Sequence, residues 1–368
     1  MRGHLVIADI SGYTQFLTDS ELDHANGIVG DLLNSIIGAM QTPLAVSAIE
    51  GDAVFMYGEM SQDMAGQTVL ESVELLYCAF AKALENMVLN TTCACNACVN
   101  IKSLGLKIVM HCGEYAKTTV GNMTTLSGPD VIAVHRLVKN HVTATTGIDD
   151  YLLVTQACVD DLGVQTIVKS WTAHSEEYEH IGRVDGFVSS LRHVFEFQQR
   201  QTEVKVLQSE AWATIRGQSV APPAVVWDHI IDPRKRMGWL NAYGMDVLGS
   251  DDGRIAPGTE FHCAHGDNEL IVFTILDMRP YEYITVVVQF MPDSVVKYTS
   301  YLMPSGSGTR IVHCAAAPTS PSGDPIPDQS GPEYHSGYTD MTQGAVDVLT
   351  QLADEVAVAA RAVSSTSA

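Results

Sequence analysis

Asp9 lies at the end of the apolar, strand-like run His4–Ile10 and leads into Ser11-Gly12-Tyr13-Thr14, which reads as a helix start. Helix N-termini carry unpaired N–H groups, and a glycine lets the backbone approach a ligand closely, so this turn could hold phosphates. Asp52 sits in Glu50-Gly51-Asp52, a tight-hairpin signal between the strand-like runs Leu44–Ile49 and Ala53–Tyr57. Two carboxylates beside a phosphate-holding turn suit Mg²⁺, a hard cation that takes oxygen ligands and shares them with substrate phosphates. A second cluster offers softer chemistry. Cys93, Cys95 and Cys98 crowd into one short stretch, and three thiolates can close on a Zn²⁺ at about 2.3 Å each. Zinc needs a fourth ligand. Cys112 is in phase with Leu106, Ile108 and Met110 and so points into the core, which leaves His111 as the candidate. Cys78, a partner chain's group or an iron–sulfur cluster are the alternatives; a reduced, metal-free loop is the plain reading and a redox-responsive thiol cluster the third.

The elements that must position these groups follow from periodicity. Ile28, Val29, Leu32, Leu33, Ile36, Ile37 and Met40 fall at helical spacing, so residues 21–40 form an amphipathic helix. A second helix covers about 66–89, Leu104–Cys112 is a strand, residues 129–141 form a third helix, and Tyr151–Thr155 is a further strand. Strand–helix–strand–strand–helix–strand is the order of a ferredoxin-like palm. In such a palm the first strand and the Gly-Asp hairpin are neighbours, so Asp9 and Asp52 converge.

Four segments in this order resemble the class III nucleotidyl (adenylate/guanylate) cyclase catalytic domain. LVIADISGYTQF and EGDAVFMYG match its two metal-binding segments, LKIVMHCGE is similar to its Gly-x-His-x-Gly strand, and GPDVIAVHRL lies where it has a Val-Asn-x-Ala-x-Arg-Leu helix. The resemblance covers residues 1–195 and implies Mg²⁺ or Mn²⁺ on Asp9 and Asp52. It places Arg136 as the arginine that stabilises transition-state charge, Thr125 as a base contact, and Ile10, Ser11, Gly12, Tyr13 and Thr14 around a nucleoside triphosphate. It also implies a homodimer. Two positions depart: Ala48 stands where the family reads the base with lysine, and Ile132 where an asparagine orients the ribose. Neither side chain can make the hydrogen bond. The chain is therefore expected either to convert a nucleoside triphosphate to a cyclic nucleotide and pyrophosphate with altered base preference, or to be an inactive pseudo-cyclase acting as a dimeric, ligand-binding regulator. A purely structural palm is the third reading.

The polar stretch 198–206 separates this cyclase-like domain (1–197, with the cysteine-rich loop 93–98) from a second domain, 207–362, followed by a tail, 363–368. Strand-like stretches Ala211–Arg216, Thr259–His265, Glu269–Met278, Tyr283–Met291, Val295–Met303 and Gly308–Ala316 precede a proline-rich loop (318–332) and a last helix of about 335–361. An antiparallel sheet around one long C-terminal helix is the helix-grip arrangement. With the entry PAVVWDHIIDPRKRMGWL, it resembles the Bet v 1/START-like superfamily. The fold class is thus α+β, a palm followed by a helix-grip domain. Trp227, Trp239, Phe261, Phe273, Phe290 and Tyr301 are candidates to line a pocket for a hydrophobic small molecule. His262 and His265 face opposite sides of a strand and make a poor metal pair. Arg234, Lys235 and Arg236 form the strongest basic run, suited to ion pairs, to an anionic ligand or to a solvated surface.

Composition limits the partners. With 21 Lys+Arg against 43 Asp+Glu the formal charge is −22, which repels phosphate backbones and excludes a broad nucleic-acid interface. No apolar run is long enough to span a membrane, and no signal peptide is evident at the first residue. Eight cysteines in 368 residues do not make a disulfide scaffold and suit a reducing compartment, so a cytoplasmic location is expected.

Overall fold

The computed structural model describes residues 1–59, 64–120, 123–250, 252–266 and 269–366. Two compact units divide the chain, Met1–Gln201 and Thr202–Ala368. The architecture is mixed α+β in both.

The first unit opens with β1 (Arg2–Ser11), α1 (Tyr13–Thr18), α2 (Leu22–Ala39), β2 (Leu44–Glu50), β3 (Ala53–Glu59), α3 (Gly66–Asn90), α4 (Asn96–Asn100) and β4 (Gly105–Glu114). There follow β5 (Ala116–Val120), β6 (Met123–Ser127), α5 (Pro129–Leu137), α6 (Val142–Thr146), β7 (Tyr151–Thr155), α7 (Gln156–Leu162), α8 (Gln165–Val168), β8 (Thr172–Tyr178), β9 (Gly182–Ser190) and α9 (Leu191–Arg200). Seven strands lie in the order β2-β3-β1-β4-β7-β9-β8, and β5 pairs with β6 as a separate ribbon. The β4–β7 pair is parallel and its neighbours are antiparallel. The β2-β3-β1-β4 half is the order a ferredoxin-like palm requires. β8 and β9 extend it beyond what periodicity suggested, because their burial is mixed and their polar content high.

β1 is buried on both faces, and its alternation sorts the cores. Val6, Ala8 and Ile10 join Leu32, Ile36, Leu70 and Phe80 under α2 and α3. Leu5 and Ile7 join Phe55, Val134 and Leu137 on the α5 side. By the same period of two, Asp9 belongs to the α5 face. The third helix, expected over 129–141, stops at Leu137. The Asn140 side-chain carbonyl takes the Val142 N–H (3.0 Å) and the Tyr151 hydroxyl (2.8 Å) instead, and α6 starts anew.

The second unit comprises β10 (Ala213–Ser219), α10 (Pro223–Ile231), α11 (Pro233–Leu240), β11 (Gly244–Leu248), β12 (Glu260–Gly266), β13 (Glu269–Arg279), β14 (Tyr283–Met291), β15 (Ser294–Ser305), β16 (Gly308–Ala315) and α12 (Pro332–Thr366). Its seven strands run β10-β16-β15-β14-β13-β12-β11, with every pair antiparallel. α12 packs against β10, α10 and α11. Gly217 permits this, since a Cβ there would meet Val346 at 2.6 Å. The Asp354 carboxylate accepts from Ser219 Oγ (2.5 Å) and the Val220 N–H (2.7 Å), fastening α12 to the end of β10.

Two boundaries differ from expectation. α12 starts at Pro332, where a proline costs nothing because the first helical N–H is unpaired anyway, and it runs into the expected tail as far as Thr366. The expected linker 198–206 begins inside a helix. α9 continues to Arg200, and beyond it the Val204 N–H binds Asp277 (2.9 Å) and the Val206 N–H binds Thr299 (2.8 Å). No helix among the described residues is long and apolar enough to cross a membrane.

Candidate functional site

Asp9 and Asp52 are brought together by backbone pairing. Asp9 lies opposite Ala53 in the β1–β3 register, and the Ile10 N–H donates to the Asp52 carbonyl oxygen at 3.1 Å. Burial first, and then the charge of Asp9, raise the Asp52 carboxyl above its ordinary range. On the other side of β1, Lys107 is the direct cross-strand partner of Asp9, and its Nζ lies 3.0 Å from Asp9 Oδ2. Asp9 also lines a cleft of about 570 Å³ with Ile7, Glu50, Ala53, Ile132 and Arg136. Arg136 is exposed on α5 and makes no ion pair among the described residues. Its neighbour His135 is held, with Nδ1 donating to the Val131 carbonyl (2.7 Å) and Nε2 lying 3.2 Å from Glu50. The cleft thus opposes carboxylates on the sheet to a cation on the helix, an arrangement that can clamp an anion through a bridging metal.

The other nucleotide-site residues are placed less uniformly. Gly12 takes φ 83° and passes so close to Ser103 that a Cβ would lie 2.9 Å from its carbonyl oxygen, so only glycine fits this turn. Ser11 pairs with Gly105, Ile10 is buried, and Tyr13 packs on the core. Only Gly12 and Thr14 of the five are exposed. Thr125 is exposed on β6, opposite Thr118 in the β5–β6 ribbon, and does not line the cleft. Ala48 is half-buried beside a β-bulge in β2, and Ile132 is 57% exposed at the cleft.

His111 is not a ligand in the cysteine cluster. Its Nδ1 is 2.9 Å from Thr155 Oγ1 and its Nε2 is 3.3 Å from Asp130. Asp130 also accepts the Glu114 N–H at 2.6 Å, so this chain fixes the first turn of α5, the helix that carries Arg136. The group that joins the thiols is His24, which sequence reasoning missed. The donor atoms of His24, Cys93, Cys95 and Cys98 all lie within 4.8 Å of one another, with His24 Nδ1 at 3.2 Å from Cys95 Sγ and 3.9 Å from Cys93 Sγ. Glu21 holds the loop against the start of α2 by accepting the Ala97 (3.1 Å) and Asn96 (3.3 Å) N–H groups, which keeps its carboxyl below the ordinary range. The Cys95 N–H lowers the Cys93 thiol; Cys95 itself is favoured by the Cys98 N–H, yet withdrawal from water and its two thiol neighbours push it up to about 11. Four soft or borderline donors in one shell fit a thiophilic divalent ion.

A disulfide that the cysteine count did not foresee links Cys112 on β4 to Cys158 on α7. His4 Nδ1 lies 3.0 Å from Cys112 Sγ, and burial lowers its pKa to about 4.

In the second unit a cavity of about 620 Å³ lies between the sheet, α11 and α12. Trp239, Phe273 and Phe290 line it as expected; Trp227, Phe261 and Tyr301 do not. Tyr301 falls on the opposite face of β15 from Tyr298 and Ser300, and its hydroxyl donates to the Val206 carbonyl (3.0 Å). Trp227 is fully buried against Tyr281, with ring centroids 6.1 Å apart. Phe261 is covered by the guanidinium of Arg236, 4.7 Å from its ring centre. The basic run splits: Arg234 pairs with Asp232 (2.8 Å), Lys235 with Asp228 (2.5 Å), and Arg236 turns inward.

Residues 29–146 match a family described as "Protein of unknown function (DUF2652)". That span holds Asp52, the cysteine loop and Arg136, but not Asp9. The chain is 29% identical over 160 residues to the uncharacterized protein Rv2561/Rv2562 of Mycobacterium tuberculosis, covering 42% of this chain and 69% of that protein. Among solved structures, a bacterial light-regulated adenylyl cyclase is similar at 12% identity and a TM-score of 0.38 over 54% of this chain, which spans 57% of that one. The adenylyl cyclase CyaB from P. aeruginosa is similar at 12% identity and a TM-score of 0.37, with 52% of this chain and 96% of that chain covered.

Proposed function

We propose that the first unit is a cyclase-like module that binds a nucleoside triphosphate with Mg²⁺ or Mn²⁺ and works as a homodimer. The second unit, in this reading, is a helix-grip domain for an apolar small molecule. One observation carries the first half: Asp9 and Arg136 share a cleft, and Asp52 stands beside Asp9. The two carboxylates are hard oxygen donors whose mutual repulsion a divalent ion relieves, so they fit the ion, which would neutralise triphosphate charge. Arg136 faces the phosphates, positioned through α5 by the His111–Asp130 contact. If the ribose 3′-hydroxyl attacks the α-phosphorus and pyrophosphate leaves, Arg136 stabilises the added negative charge. Thr125 would reach a base only across a dimer.

A specific observation favours binding without turnover. Lys107 already satisfies Asp9, and Ala48 and Ile132 offer no hydrogen bond to base or ribose. The test is an assay with ATP, GTP, CTP and UTP in Mg²⁺ and in Mn²⁺, with cyclic nucleotide and pyrophosphate read by mass spectrometry and nucleotide binding by calorimetry. Product that falls about 100-fold or more in Asp9→Ala, Asp52→Ala and Arg136→Ala establishes cyclisation. Binding that depends on the same residues without product establishes the second reading, and no nucleotide binding at all sinks both.

The His24/Cys93/Cys95/Cys98 group is assigned a structural Zn²⁺ in the same reading. Metal analysis of purified protein is expected to find one zinc per chain, lost in His24→Ala and Cys95→Ser and retained in His111→Ala. Zinc-free wild type, or loss in His111→Ala, overturns the assignment.

A further inference from the structure

Arg236 is 1% exposed on the wall of the second unit's cavity. Its guanidinium stands within 4.7–5.1 Å of the ring centres of Phe261, Phe273 and Trp239. Nη1 donates to the Ile230 carbonyl at 2.9 Å, while Nε and Nη2 have no hydrogen-bond partner among the described residues. Nor has it a carboxylate partner among the described residues. Asp232 and Asp228, the acids nearest in sequence, are engaged by Arg234 and Lys235. Aromatic faces return only part of the cost of taking a cation out of water.

The wall around it is one-sided in charge. Among the described residues that line the cavity there is no Asp or Glu, and Arg236 is the one Lys or Arg. Five buried side-chain polar atoms lack partners among the described residues, and three of them belong to this wall: Arg236 Nε, Arg236 Nη2 and His265 Nε2. His313 lies 3.0 Å from both Ser300 Oγ and the Tyr338 hydroxyl, so it neither competes as a cation nor needs a ligand. Donors without a partner among the described residues, on a buried cation in a mostly apolar chamber, suit an anionic ligand.

We propose that the cavity takes an apolar organic anion, a carboxylate or sulfonate on a hydrophobic body, whose charged group pairs with Arg236. The inference rests on the reading of the second unit as an apolar-ligand domain and adds the ligand's charge. The ring and chain fill the space between Phe273, Phe290 and α12, and the anion supplies the acceptor that Arg236 Nε and Nη2 lack among the described residues. A charge-assisted hydrogen bond in such surroundings favours the anion over a neutral homologue by about 10- to 100-fold.

The full chain is titrated with two matched pairs: anilinonaphthalene sulfonate against phenylnaphthylamine by fluorescence, and tetradecanoate against tetradecanol by calorimetry. Each anion is expected to bind at least about 10-fold more tightly than its neutral partner. Arg236→Met is expected to abolish that preference while keeping affinity for the neutral probes, which also shows that the variant is folded. Arg236→Lys keeps part of it. Equal affinity within both pairs, or a preference that survives Arg236→Met, overturns the assignment and leaves the apolar-ligand reading standing. Failure of every probe to bind overturns the apolar-ligand reading as well.

Discussion

The cleft of the first unit and the cavity of the second hold opposite electrostatic problems. At the cleft the charge of Asp9 acts on Asp52 beside it at a partly open surface, and the fold answers with Lys107 across the strand. In the cavity a single cation is enclosed, and the fold answers with ring faces and one carbonyl. The difference lies in who completes the site. Water and Lys107 already moderate the cleft, so a metal there must displace something. In the cavity no carboxylate among the described residues meets the cation, so an anion there would add one.

Removing the cation from each region tests that contrast, and the cavity should respond most. Arg236→Met deletes a buried charge without a counter-ion, so the ligand-free protein is expected to hold its stability or gain up to about 4 kcal/mol by thermal unfolding. A loss of more than about 1 kcal/mol would mean that the guanidinium is stabilising as it stands, and the contrast fails. In the cleft, Lys107→Met leaves Asp9 and Asp52 to repel each other. Because both partners of the ion pair are partly solvated, the cost is expected to stay below about 1 kcal/mol. Divalent-ion affinity, read by calorimetry, should rise about 10-fold, since the ammonium no longer competes. Unchanged affinity would show that the ion does not use Asp9.

The smallest effect is a pH signature. The Asp52 carboxyl is raised in the folded state, so the folded chain holds its proton more tightly than the unfolded chain. Stability associated with this group is therefore complete in acid and is lost as pH rises from the ordinary carboxylate value through the raised one. Asp52→Asn should be slightly more stable than wild type at neutral pH, with the difference vanishing below about pH 3.8. Wild type being the more stable at neutral pH, with that advantage lost in acid, would reverse the sign and place Asp52 in an ion pair instead. His313 behaves oppositely. Burial lowers its pKa to about 3, so its contribution is present above the ordinary histidine range and is lost as pH falls toward that value.

Much of the first unit was legible because its signals are local. The apolar period of α2, the Gly51-Asp52 hairpin and the alternation of β1 each depend on a few adjacent residues, and together they place Asp9 beside Asp52. The fourth member of the cysteine cluster was not legible. His24 lies on another helix, and nothing near it in sequence marks it as a ligand; only the packing of α2 against α4 brings it in. His111 carried a local motif and proved to serve α5 instead. The cavity misled in a different way. Aromatic residues in strands signal burial but not the face they occupy, so the candidate Tyr301 meets Val206 instead of the cavity. Basic triplets ordinarily stay in water, and the aromatic box that draws Arg236 inward is assembled from Trp239, Phe261 and Phe273 on three elements.

The register of β1 has a consequence for how this chain can change over time. Asp9 faces the cleft only because Ala8 and Ile10 face the helices, and Lys107 meets it only because the β1–β4 ladder pairs them rung to rung. An insertion or deletion of one residue in β1 would send the carboxylate under α2 and α3 and expose an apolar side chain in its place. Lineages of this fold can therefore retune the cleft by exchanging residues, but a change of length in that strand would lose the core and the chemistry in a single event.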